Sequence, residues 1–376
     1  MKRVRINLVI GEHHQYNGRC SLDVPHNYSL TNIKNMRRHS YYSCVILFVM
    51  VLAVVACSGR KSGFDESKYP LTALEFQELH IEPLLGRPQQ IDYIDSILVI
   101  TDLVESHTLL LYDLRDSSYV RTLPVGNGPG EVSFPIQTSV IGEGENLGVF
   151  LRQTGEFRVY AIDSLMNNSF SFFEKVNLDL ADHGLQTIDG YAGIGFYADG
   201  ILRFFNSDGS VKQIVDLYSE YDIQDGHDKY RLFQGILAYN EKKSSLVIAP
   251  VFASVVLFYH YINGTWQENA RFQMGEGNFE KRILNDDNLN ILRSDVYQFI
   301  TACSSKEYFY LLYDGHRMDG TDATDYRLIL CFDTSGTLMC VYKVNPSVTG
   351  ICVQDNVMYA LLIGEDGEYT IGEARL

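Results

Sequence analysis

One pattern recurs along this 376-residue chain and limits what it can fold into. A strand-like apolar run ends in an aromatic residue, an Asp, Asn or Gly turn follows, and a second strand-like run comes after it. The unit occupies residues 109–123, 157–164, 201–215, 255–266 and 327–342, and a shortened copy at 368–376 stops where its second strand would begin. Such a hairpin cannot bury its apolar faces alone, so the copies must pack on one another. Their spacing of roughly 45–70 residues is that of a four-stranded propeller blade with its loops.

Further strand-like runs at 97–101, 245–249 and 308–313 precede three of the copies and read as the inner strands of blades. Six blades of about 50 residues account for the chain after position 56. The expected fold is therefore all-β, a six-bladed β-propeller over residues 71–376. The stretch 72–80 is positioned to supply the outer strand that the last blade lacks and so to close the ring. A pair of β-sandwiches is the alternative architecture. Composition agrees with strands: 25 Tyr and 20 Phe fit pleated, half-buried surfaces, and 30 Gly against 9 Pro suits many tight turns. Helical periodicity is hard to find after residue 70.

The first sixty residues carry an address. Residues 44–56 are an unbroken apolar run, too short for a membrane span of about 20 residues but suited to a signal peptide. Arg37, Arg38 and His39 precede it, and Val54-Val-Ala-Cys-Ser-Gly59 follows. The junction resembles the bacterial lipobox, which implies lipidation of Cys57. More than one acyl chain there gives stable rather than marginal anchoring. The domain reading is then a gene-model extension at 1–35 with the true start at Met36, a signal peptide at 36–56, a tether at 57–70 and the propeller. The expected location is the cell envelope, lipid-anchored to the outer membrane and facing the periplasm or the surface.

A second resemblance concerns the body of the chain. The turn Val125-Gly-Asn-Gly-Pro-Gly-Glu-Val132, together with the Tyr-rich blades of residues 308–376, resembles TolB-like and NHL-like six-bladed propeller lipoproteins of the Bacteroidetes. The resemblance implies the fold and the address, and assigns no chemistry.

Residue patterns exclude more than they assign. Beyond position 56 there are 24 basic and 45 acidic residues, a net charge of −21, which repels phosphate backbones and argues against nucleic acid. Cys303, Cys331, Cys340 and Cys352 allow two disulfides or four small core residues, with no CxxC pair to suggest zinc or redox chemistry. The Gly126–Gly130 turn lacks the Lys-Ser/Thr of a P-loop and reads as structural. Asp314, Asp319, Asp322 and Asp325 fall on one loop, and the last three are candidate Ca²⁺ ligands, although the spacing is not that of an EF-hand. A solvated loop is the plainer reading of the same residues, and 285–288 is a weaker acidic candidate. His80, His107, His183, His227, His260 and His316 are scattered, with no HExxH or GxSxG around them. The leading expectation is a non-enzymatic module that binds a glycan, a peptide or an envelope protein. The alternatives are a metal-dependent lyase or lactonase with its site at the central channel, and a structural part of an envelope complex.

Overall fold

The computed structural model describes residues 64–376, except 143, 222, 224, 276, 287–288 and 322–324. The proposed extension, the signal peptide and Cys57 therefore lie outside the described residues, as does Asp322.

Two short strands, β1 (Leu71–Ala73) and β2 (Gln77–Leu79), precede five units of four strands and a last one of three. Blade 1 is β3 (Gln90–Ile94), β4 (Ile97–Val104), β5 (His107–Asp113) and β6 (Tyr119–Pro124). Blade 2 is β7 (Ile136–Ile141), β8 (Asn146–Leu151), β9 (Glu156–Ala161) and β10 (Glu174–Asn177), with helix α1 (Ile162–Met166) before its last strand. Blade 3 is β11 (Ala181–Thr187), β12 (Gly190–Gly195), β13 (Leu202–Phe205) and β14 (Val211–Val215). Helix α2 (Gly226–Phe233) leads into blade 4: β15 (Gly235–Asn240), β16 (Ser245–Pro250), β17 (Val255–Ile262) and β18 (Thr265–Gln273). Helix α3 (Asn278–Asp286) leads into blade 5: β19 (Phe299–Ser304), β20 (Tyr308–Tyr313), β21 (Arg327–Asp333) and β22 (Leu338–Val344). Blade 6 is β23 (Val348–Gln354), β24 (Val357–Ile363) and β25 (Tyr369–Arg375).

The first strand of each blade neighbours the first strands on either side, and β23 neighbours β3, so the ring is closed. Closure is completed by the N-terminal segment. Strand β2 pairs antiparallel with β25 and supplies the outer strand of blade 6, as expected from the truncated last repeat. Strand β1 does something the sequence did not suggest: it pairs parallel with β22 and gives blade 5 a fifth strand. Part of the stretch read as a tether is also packed. Phe64 is buried, its amide donates to the Tyr313 hydroxyl at 3.0 Å, and its ring stacks on Tyr69 at 5.1 Å.

The core is divided among the junctions between neighbouring blades. Strand alternation explains how, since successive side chains point to opposite faces. In β4, Ile97 and Val99 pack toward blade 2 while Leu98 and Ile100 pack toward blade 6. In β16, Leu246 and Ile248 join blade 3 while Val247 and Ala249 join blade 5. Burial on both faces makes these strands continuous apolar runs. The three runs read as inner strands, in β4, β16 and β20, are thus the second strands of their blades. The innermost strand of blade 1, Gln90-Ile-Asp-Tyr-Ile94, is buried less completely and mixes polar with apolar residues, so its pattern is correspondingly weaker.

Cys331 and Cys340 are register partners across β21 and β22, and both are free thiols, as are Cys303 and Cys352. Among the described residues no helix is long and apolar enough to cross a membrane.

Candidate functional site on the helix-covered face

Connections between blades and between second and third strands emerge on one face of the ring. Two of them are long: residues 216–234 carry α2 and residues 274–298 carry α3. The helices lie together. Phe233 of α2 meets Phe279 of α3 edge-on at 6.1 Å, and Arg231 donates to the Leu289 carbonyl at 2.8 Å. Asp225 caps α2 by accepting from the amides of His227 and Asp228.

Beneath α3, between blades 4 and 5, lies a cleft of about 300 Å³. Phe252, Phe279 and Val296 form its apolar wall. Phe252 and Phe279 stack at 6.2 Å, and the Arg282 guanidinium sits 5.4 Å from the Phe279 ring centre. The polar side is built from buried groups. Arg282 donates to Asp295 at 2.7 Å and to the Asn290 carbonyl at 2.8 Å, while Asp295 also accepts the Leu292 amide at 2.7 Å. Glu280 accepts the amide of Ser254 and, at 2.8 Å, its hydroxyl, fixing α3 to the β16–β17 loop.

Gln298 completes the lining. Its backbone amide donates to Val251 of blade 4 and its carbonyl accepts from Asp314 of blade 5, each at 2.8 Å. The residue is 3% exposed, yet its side-chain oxygen has no hydrogen-bond partner among the described residues. Buried amides are nearly always paired, so an orphan in a cleft wall is informative.

A second polar group stands at blade 3. Asp182 accepts from Arg152 and from the Tyr230 hydroxyl, both at 2.7 Å, with the neighbouring His183 ring at 3.3 Å. Desolvation pushes the His183 pKa down to about 4 against the pull of Asp182, so the imidazole is neutral at ordinary pH. In blade 1, desolvation pushes Asp92 up to about 7, although Thr138 and Gln90 donate to its carboxylate. These groups belong to the inner ring.

The residues singled out from sequence fall apart in space or turn inward on the chain. Asp319 accepts from the Thr321 hydroxyl at 2.7 Å and pairs with Arg317 at 3.1 Å; Asp325 is exposed. Among the described residues no three His, Cys, Asp or Glu side chains group as metal ligands. His227 stacks on Phe196, His316 contacts Asp314, and the His260 ring contacts the Thr334 carbonyl. The glycine-rich turn is closed by its own acid: Glu131 accepts the Gly128 amide at 2.6 Å, and a Cβ at Gly126 would lie 1.9 Å from the Glu131 carboxylate. Sequence reasoning missed Gln298, because a lone amide carries no motif. It also missed α2 and α3, although Asp225-Gly-His-Asp228 is a legible cap.

Ring closure, six blades and junction cores define the class: a six-bladed β-propeller. The family model for TolB-like 6-blade propeller-like proteins matches residues 64–356, and the chain belongs to that family. No curated protein matches the sequence. Among solved structures, a member of the DUF4221 family from Bacteroides vulgatus is similar, at 10% identity and a TM-score of 0.50, over 81% of this chain and 98% of that one. A Bacteroides fragilis protein whose name describes it as exported is 12% identical with a TM-score of 0.49, over 80% and 94% of the two chains. A luciferin-regenerating enzyme is 12% identical with a TM-score of 0.48, over 81% and 96%. These are likenesses of fold.

Proposed function

We propose that this propeller is an exported, lipid-anchored binding protein that holds a small polar ligand in the cleft between blades 4 and 5. The observation that carries the reading is the buried side chain of Gln298 in the wall of a half-open cleft, its oxygen without a hydrogen-bond partner among the described residues. Cavities of this size with a few convergent polar groups are the usual form of small-molecule sites. Export and anchoring rest on the charged, apolar and small-residue order that ends at Cys57.

Two experiments test the reading. A thermal-shift screen of chemically diverse small compounds is run on the protein and on Ser294→Trp, whose indole would fill the cleft from an exposed position. Stabilising compounds whose effect vanishes in Ser294→Trp support the site; compounds equally effective on both proteins contradict it. For the anchor, labelled palmitate is expected in the parent and absent from Cys57→Ser, and label in both would refute lipidation at Cys57.

A further inference from the structure

We infer that the cleft takes a neutral, hydroxyl-rich ligand of the saccharide class, held through the Gln298 carboxamide. This deepens the reading of the cleft as a ligand site and rests on it.

The charges around the cleft are balanced within the chain. Arg282 is paired with Asp295, Arg317 with Asp319, and Glu280 is occupied by Ser254. An anion would find no uncompensated cation, and the formal charge of −16 opposes it further. A cation would meet an Asp295 carboxylate already neutralised by Arg282, with the Arg317 guanidinium also in the lining to repel it. An apolar ligand suits only three of the ten lining residues and would leave the Gln298 oxygen buried without a partner.

What remains is a ligand that both donates and accepts. Gln298 and Asn278 do both through their amides, and Ser254 and Ser294 through their hydroxyls, while Asp295 accepts and the arginines donate. Sugar hydroxyls have the same dual character. The C–H face of a sugar ring matches the wall of Phe252, Phe279 and Val296. The Gln298 backbone is pinned to both flanking blades, so the base of its side chain is fixed, and close burial restricts the rotamers left to the carboxamide before the ligand arrives.

The test is calorimetric titration of the full chain, purified in detergent, with glucose, galactose, mannose and N-acetylglucosamine, and with glucuronate and glucosamine as charged probes. At least one neutral sugar is expected to bind, Gln298→Leu to weaken it tenfold or more, and Ser294→Trp to remove it. In the sugar-free protein, Gln298→Leu is expected to raise Tm by about 2 °C, because an unpartnered buried amide is lost. A merely structural glutamine would lower Tm instead. No binding by any neutral sugar, preference for a charged probe, unchanged affinity in Gln298→Leu or a fall in its Tm would each overturn the inference. Non-sugar compounds that stabilise the parent but not Ser294→Trp would then leave the cleft a ligand site of another class. Compounds indifferent to both substitutions would remove the site as well.

Discussion

Blades 3 to 5 and blades 6, 1 and 2 are built alike at their junctions and differently on the loop face. Both halves bury continuous apolar second strands between neighbours, Val247 and Ile248 in one and Leu98 and Val99 in the other. Over blades 6, 1 and 2 the connections are short or closed on themselves. Glu131 holds its own loop, and Asp102, fully buried, accepts the amides of Gly86 and Arg87. Over blades 3 to 5 two longer connections form helices, and these leave a cleft and an orphaned amide. The ring is the common scaffold. Buried hydroxyls such as Thr101, Thr122 and Ser139 in the first half also lack a partner among the described residues, but only in the second half does such a group, Gln298, line a helix-covered cleft.

Core truncation gives the largest expected effect and tests whether the two halves share a scaffold. Leu98→Ala and Leu246→Ala, both fully buried, are each expected to cost about 2–5 kcal/mol in urea unfolding. A loss confined to one of them would mean that the junctions are not equivalent.

Acid titration separates the halves through groups with opposite signs. Asp92 in blade 1 has its folded pKa raised to about 7, so the folded state holds the proton more tightly. Its contribution is lost as pH rises from about 4 to 7. Asp92→Asn is therefore expected to be more stable than the parent at pH 8, by up to about 4 kcal/mol, and equal to it near pH 4. His183 in blade 3 has its folded pKa lowered to about 4, so the unfolded state binds protons first and stability falls as pH drops from 6.5 to 4. His183→Gln is expected to match the parent near pH 7 and to exceed it at pH 4 by up to about 3 kcal/mol. Parallel slopes for the two variants would contradict these assignments.

A smaller effect concerns the helical cover. Asp225→Ala removes the cap of α2 and is expected to cost about 1 kcal/mol, with faster amide exchange at residues 226–233 and no change in blades 6, 1 and 2. Faster exchange spread over the whole ring would show that α2 is part of the scaffold and not a cover on it.

The ring was legible in the sequence because junction burial leaves a signal in every blade. Residues 109–123, 201–215 and 327–342 are the outer hairpins they were read as, and the missing last strand pointed to the closing role of β2. The order of strands within a blade was less legible. A run such as 245–249 was read only as an inner strand; it is the second, apolar because it is covered on both faces. The parallel pairing of β1 with β22 left no trace, since three exposed residues carry no pattern. The cleft was illegible for another reason. Phe252 comes from the β16–β17 connection, Arg317 from the β20–β21 connection, and Arg282, Asp295 and Gln298 from well-separated points of the segment that carries α3. Only the packing of α3 between two blades brings them together.

The most direct measurement is a high-resolution crystal structure of the protein grown in a saturating neutral monosaccharide. The expected result is a sugar ring in the cleft against Phe252 and Phe279, with a ring hydroxyl within hydrogen-bond distance of the Gln298 carboxamide. Ordered waters in that place despite saturating sugar, fully satisfying Gln298, would contradict the assignment of the cleft as a saccharide site.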